Sequence, residues 1–324
     1  MMIQTFKHLV LIGIQWSGIP YLFRRLNRSH SVILMFHGLT DRKHSGLENC
    51  QHKHLHVQRF EAFLVHLKKH FHVISLDELT RCQREGRPTP PSSVVLTFDD
   101  GFLSNYKLAF PLLKKYQMPA TIFIATQFVA EKKPIWVDRV DYALDRAGAS
   151  KKELVEMKKQ FKALTPEQLV PAIESLEKKL GHELVNSNAE SSPDIYRSLD
   201  WDDVREMQKT GLITIGAHTH SHWILGRCEP EMVLKEVELS KNIIEQETGQ
   251  PCLHFCYPNG GREDFSAETE SIIRKLGFHS TTTTLCGFNE AECSPFLLKR
   301  FGITDEMDPV KFHLLMSGID RNQV

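Results

Sequence analysis

The chain repeats one pattern that leaves few folds open to it. Short, continuous apolar runs alternate with amphipathic stretches of helical period. SVILMFHG (31–38), SSVVLTFDDG (92–101), PATIFIAT (119–126), LITIGAH (212–218) and CLHFCYP (252–258) lack the polar alternation of a half-exposed strand. Such runs mark strands buried on both faces, which occur in parallel sheets covered by helices. HVISL (72–76), HSTTTT (279–284) and PFLLKRFGI (295–303) read as further strands. Between them, Phe60, Phe63, Leu64 and Leu67 recur at helical spacing. NYKLAFPLLKKYQ (105–117) reads as a helix broken at Pro111, 229–249 as a long helix, and SAETESIIRKLG as another. LDWDDVREMQKTG carries a capping start at Asp200 and a glycine stop at Gly211. Alternation of this kind implies parallel βα units and an α/β barrel.

The rhythm breaks from about 131 to 200. That stretch is charged, amphipathic and without strand runs, and its lysines and glutamates nearly balance. It reads as a solvated helical insertion in which Trp136 and Asp138 could face a groove. Residues 1–31 form a separate N-terminal helical segment, and 32–324 the barrel. The N-terminal run (HLVLIGIQWSGIPYLFRRLNR) is interrupted by Gln15, Ser17 and Pro20, and its arginines follow the apolar part. A secretory signal has the opposite order. The segment is expected either to pack on the domain or to lie on a membrane surface. Lys7, Arg24, Arg25 and Arg28 face no acid within the first thirty residues, which suits a peripheral membrane contact.

Composition excludes some classes. Lys and Arg number 40 and Asp and Glu 40, so the formal charge is 40 − 40 = 0. A nucleic acid partner would call for a basic face. Seven cysteines follow no disulfide or C-x-x-C spacing, as expected of reduced thiols and a cytoplasmic location.

Reactive groups in parallel α/β folds gather at the carboxyl ends of strands. One run here ends in Asp99, Asp100 and Gly101, whose adjacent carboxylates project differently and can do different work. Another ends in His218-Thr219-His220-Ser221-His222. In a helical turn, His218 and His222 would lie on one side and grip one ion while His220 points away. A third ends in Pro258-Asn259-Gly260-Gly261, where the glycines would offer backbone N–H groups to an oxyanion. One Asp with two His leaves a divalent metal, Zn²⁺ above all, open positions for chemistry.

TFDDG (97–101) followed by H-T-x-x-H (218–222) resembles the polysaccharide deacetylases with a NodB homology domain, carbohydrate esterase family 4. FCYPNG (255–260) resembles their third motif, and ILMFHG (33–38) their opening strand. The resemblance covers about 32–130 and 200–305. It implies an irregular (β/α) barrel of the NodB type and metal-dependent removal of N-acetyl groups from an amino-sugar glycan. Asp100, His218 and His222 would hold the metal, and Asp99 would be the general base. Asn259, through its backbone N–H, and Tyr257 would bind the oxyanion or substrate. The chain departs from the family pattern twice. Its late strand LLKRFGI has no histidine to serve as proton donor, and Cys256 stands where many members carry arginine. Arg300 is the candidate replacement for that charge, and His37 the candidate proton donor or substrate contact. Trp223 is either a sugar-stacking residue or core. His254 and His279 read as structural. Two other readings stay open: a deformylase or other C–N hydrolase on a lipid-linked sugar, and an inactive carbohydrate-binding relative.

Overall fold

The structure, a computed structural model, describes Gly13 and residues 17–319. The run before Ser17 otherwise lies outside the described residues, so its expected helix is seen only from Ile19 to Leu26. That helix packs against helix Pro309–Ser317, and the Asn27 amide donates to the Ser317 carbonyl at 3.2 Å. No helix among the described residues is long and apolar enough to cross a membrane.

Ten strands occur in chain order among the described residues. They are β1 (Val32–Phe36), β2 (Leu39–Thr40), β3 (Leu55–His56), β4 (His72–Val73), β5 (Ser93–Phe98), β6 (Ala120–Ile124), β7 (Ile213–Ala217), β8 (His254–Cys256), β9 (Ser280–Thr282) and β10 (Phe301–Gly302). Eight form one sheet in the order β10-β1-β5-β6-β7-β8-β9, with β4 on the first residues of β5. Every ladder is parallel. β2 and β3 form a separate parallel pair. The sheet curls, and segment 295–303 spans its open side. Thr281 donates to the Pro295 carbonyl, Leu298 pairs with Thr282, and Phe301 pairs with Leu34. The expected strand over 295–303 is therefore a bridge in which only Phe301–Gly302 is regular. This is the parallel α/β barrel that the alternating pattern implies, in the irregular form that the resemblance implies.

The strands β1, β5, β6 and β7 are long because their residues bury on both faces. All six of β5 are buried, and Leu34, Leu96, Ile122 and Ile215 share one core. HVISL departs from its expected strand. Only His72 and Val73 pair, and Leu76 opens a helix to Glu85 whose first turn is capped by the Ser75 hydroxyl on the Glu78 N–H.

The insertion is helical up to Leu180, with Trp136–Arg146, Lys151–Phe161 and Pro166–Leu180, and 181–200 is loop save for the short turn Asp194–Tyr196. The helices are not merely solvated. Trp136, Val140, Leu144, Leu154, Phe161, Leu169 and Ile173 build a second core, which takes in Leu47 and Ile224 from the barrel loops. The balance of Lys and Glu describes only the outer face of these helices.

Candidate active site

Parallel strands deliver their last residues to one end of the barrel, and the reactive groups stand there. His37 follows β1, Asp99 and Asp100 follow β5, His218 follows β7, and Asn259 lies three residues beyond β8. A cavity of about 590 Å³ opens among them, lined by His37, Asp99, Asp100, His218, His222 and Asn259. A second, of about 560 Å³, opens among the strand starts at Ile213 and Leu253 and holds none of them.

Asp99 is 3 % exposed. Both of its oxygens are held by Arg300, Oδ1 by Nη1 at 2.7 Å and Oδ2 by Nη2 at 2.8 Å. This is the bidentate geometry that orients a carboxylate. Arg300 is itself fully buried and is fixed by donation from Nε to the Thr283 carbonyl at 2.8 Å and from Nη1 to the Thr97 hydroxyl at 3.2 Å. Cys256 fits beside the pair, its Sγ 3.0 Å from Arg300 Nη2 and 3.5 Å from Asp99 Oδ2. The small cysteine leaves room for a guanidinium that arrives from the segment before β10. Burial pushes the Asp99 carboxyl up, but the Arg300 charge outweighs it and holds the group below its ordinary value. Asp99 is therefore ionised at neutral pH.

Asp100 turns the other way. Its Oδ1 lies 3.5 Å from His218 Nε2 and 3.2 Å from His222 Nε2. His218 is oriented from behind, its Nδ1 2.8 Å from the Cys256 carbonyl. Burial pushes the Asp100 carboxyl up, and the two imidazoles reverse that and hold it far below the carboxylate range. The three ligand atoms lie within 4.8 Å of one another, all on buried residues. Donors set 2.0–2.2 Å from a tetrahedral ion sit about 3.4 Å apart, which is the spacing around Asp100 Oδ1. Two nitrogens and one oxygen suit a borderline divalent ion. The residues therefore fit the metal that the resemblance implies. Asp99, His218 and Cys256 also cluster, but Arg300 already satisfies the Asp99 charge.

Convergence of the two histidines is not helical. Residues 218–222 form a loop in which Thr219 (φ 62°) and His222 (φ 59°) take the left-handed conformation. Asp100 (φ 79°) and Asn259 (φ 62°) do the same. Non-glycine residues rarely sit there, and such strain collects at functional sites. His220 turns out of the site toward the Thr126 hydroxyl, 2.9 Å away.

Other placements differ from expectation. The Gly260 N–H donates to the Pro258 carbonyl and the Gly261 N–H to Asp264 Oδ2, so neither is offered to an oxyanion. The Asn259 backbone N–H has no partner among the described residues, while its side chain donates to Asp264 Oδ2 and accepts from Lys162 Nζ, both at 2.6 Å. Tyr257 is buried core, stacked on Phe265 with ring centroids 4.0 Å apart, and lies outside the cavity lining. Trp223 packs against the core of the insertion, not into the cavity. His254 is held between Ser280 and Asp77. His37 lines the cavity, and burial keeps its imidazole below the ordinary histidine value despite the nearby Asp100 and Asp99 charges.

Of the opposite wall, Trp136 lines the cavity as expected, whereas Asp138 is buried behind it. Val137, Val155, Lys158, Lys159 and Lys162, also from the insertion, were missed. Lys53, also in the wall, pairs with buried Asp138 at 2.5 Å. The available signal was the i, i+4 spacing of Val155, Lys159 and of Lys158, Lys162, which sets one helix face. Nothing in the sequence says whether that face meets water or a cavity.

A family model described as polysaccharide deacetylase matches residues 86–281. This chain belongs to that family. Among similar proteins of the family's kind, the poly-beta-1,6-N-acetyl-D-glucosamine N-deacetylase of Staphylococcus aureus (strain MSSA476) is 32% identical over 137 residues, 42% of this chain and 41% of that protein. The protein of the same name from Escherichia coli (strain K12) is 45% identical over 47 residues, 14% of this chain. The match thus spans only 7% of the length of the Escherichia coli protein. Among solved structures, the Streptococcus pyogenes deacetylase PplD in complex with acetate superposes with a TM-score of 0.62 at 21% identity, over 89% of this chain and 97% of that one. That likeness speaks to the fold.

Proposed function

We propose that this family member hydrolyses the N-acetyl group of an amino sugar within a polysaccharide, with one divalent metal ion, Zn²⁺ by its donor set, held by Asp100, His218 and His222. The observation that carries this reading is the sharing of one cavity by two differently wired carboxylates. Asp100 faces two imidazoles, and Asp99 faces a guanidinium. A divalent ion, when bound, supplies Lewis acidity to the amide carbonyl and acidifies water.

The chain's own groups supply the remaining chemistry. Asp99, ionised and fixed by Arg300, takes the proton from the attacking water. The same carboxyl returns that proton to the departing nitrogen, so water and amide become acetic acid and amine, which at neutral pH exist as acetate and ammonium. This replaces the late histidine that the chain lacks. The Asn259 backbone N–H is the free donor for the developing oxyanion. His37, neutral through burial, orients the substrate by a hydrogen bond.

The test is acetate release from N-acetylglucosamine oligomers alongside metal content by native mass spectrometry. Asp99→Asn is expected to cut turnover about 10²–10⁴-fold, the span of general-base catalysis, with metal retained. His218→Ala is expected to lose both. Undiminished acetate release by a metal-stripped His218→Ala/His222→Ala protein would end this reading.

A further inference from the structure

The catalytic cavity carries more positive charge than its own carboxylates answer. Asp99 is matched by Arg300, Lys53 by Asp138, and Lys158 by Asp141 at 2.5 Å. Two ammonium groups in the lining remain. Lys159 and Lys162 have no carboxylate within 4.0 Å among the described residues. Lys162 Nζ donates to Asn259 Oδ1 at 2.6 Å, a neutral acceptor. The nearby Asp264 carboxylate is engaged by the Asn259 amide and the Gly261 N–H, both through Oδ2. Burial, with the Lys158 charge behind it, lowers the Lys162 ammonium from its ordinary value, and the Asp264 charge opposes this without reversing it. An anion placed against the ammonium would offset the two lowering effects.

A simpler account is helix chemistry. Lys158 and Lys159 occupy the last turn of helix Lys151–Phe161, and Lys162 caps it. Cations are favoured at that end by the helix dipole. The dipole is satisfied whichever way the side chains turn, yet all three line the cavity that holds Asp99, Asp100 and His222. Lys162 in addition touches Asn259, the residue of the oxyanion site. The positive wall and the reactive end thus belong to one binding space.

We propose that the glycan acted on is anionic: next to its N-acetylated sugar it carries an oxyanion, a uronate carboxylate or a phosphate, that seats against Lys159 and Lys162. The proposal rests on the N-deacetylase reading above and deepens it to a substrate class. Charge in a partly enclosed cleft raises both capture and orientation of such a substrate.

Three probes separate the possibilities: a neutral β-1,6-linked N-acetylglucosamine oligomer, a hyaluronan oligosaccharide with alternating uronates, and an N-acetylglucosamine oligomer with phosphodiester links. Acetate release is measured on each at low and high salt. One or both anionic probes are expected to exceed the neutral one about 10-fold in kcat/KM at low salt, and the advantage is expected to shrink as salt screens the lysines. Whichever is preferred names the source of the charge. In Lys159→Gln/Lys162→Gln the ratio of anionic to neutral kcat/KM is expected to fall toward one. A neutral preference in the wild type, or an unchanged ratio in the double variant, overturns the proposal. Calorimetric binding of the same probes to Asp99→Asn protein separates it from the reading beneath it. With no acetate released from any probe, tighter binding of an anionic probe that the lysine substitutions abolish retains the anion site and rejects N-deacetylation. Equal binding of neutral and anionic probes rejects the anion site.

Discussion

At the scale of single residues, the Asp99–Arg300 pair depends on what stands behind it. Arg300 reaches Asp99 past the ring of Phe123, its guanidinium carbon 5.9 Å from the ring centroid. Gly216 in β7 makes room for that ring. A β-carbon there would lie 2.5 Å from Phe123 Cδ1 and 2.9 Å from the His254 carbonyl oxygen of the next strand. The His254 backbone yields less readily than a side chain, so the ring beside the guanidinium must shift. Gly216→Ala is expected to cost about 1–3 kcal/mol of stability, the usual penalty of overpacking. Turnover should fall by more than the loss of folded protein accounts for. Chemical denaturation together with acetate release per folded molecule checks this, and full activity at unchanged stability would show that the ring has another place to go.

At the scale of elements, helix Val57–His70 carries a titrating device far from the site. His66 stands between His70 of its own helix and His313 of helix Pro309–Ser317, with ring centroids 4.8 and 4.7 Å away. Arg24 from helix Ile19–Leu26 and Lys69 add positive charge around it. Burial first, then those neighbours, lowers the His66 pKa to about 3. An unfolded chain takes up that proton near pH 6.5 and the folded one does not. Stability from this residue is therefore complete above about pH 6.5 and is lost as pH falls toward 3, at most about 2 kcal/mol between pH 7 and 5. His66→Leu is expected to flatten that slope in denaturation measured at each pH, and parallel curves for the two proteins would refute the assignment. Elements were legible in proportion to how far they bury. β1, β5, β6 and β7 are continuous apolar runs because both faces are covered, and the residues ending them could be named. The start of helix Leu76–Glu85 was not found, although Ser75 and Glu78 hold the capping spacing, because HVISL reads as a short strand that takes in both Ser75 and Leu76. Loop conformation was illegible too: H-x-x-x-H reads as a helical turn, and only coordinates show that Thr219 and His222 achieve the same convergence through left-handed backbone. Arg300 was named from the sequence as the stand-in for the charge that Cys256, 44 positions away, does not carry; only the barrel shows that it grips both oxygens of Asp99.

At the scale of the whole molecule, the insertion and the barrel are joined through buried charge as well as through a shared core. Leu47 and Ile224, from barrel loops, sit among Trp136, Val140 and Leu154. Beside them Lys53 pairs with Asp138, whose side chain is fully buried and whose Oδ2 has no hydrogen-bond partner. Burial raises the Asp138 carboxyl to about 6, with Lys53 opposing the rise and the Asp141 and Asp100 charges adding to it. Such a carboxylate is tolerable only while its lysine stays. Lys53→Met is expected to destabilise the protein by about 3–5 kcal/mol at pH 7, the cost of stranding a buried charge. The loss should be smaller at pH 5, where Asp138 takes a proton instead. Lys53→Met/Asp138→Leu removes both charges and is expected to recover most of the stability, since an apolar pair of similar volume replaces the ions. The midpoint of chemical denaturation measures all three proteins. If Lys53→Met unfolds at the wild-type midpoint, the pair does not tie the two parts together. If the double variant remains as unstable as the single one, what matters is the shape of the lysine in the cavity wall and not its charge.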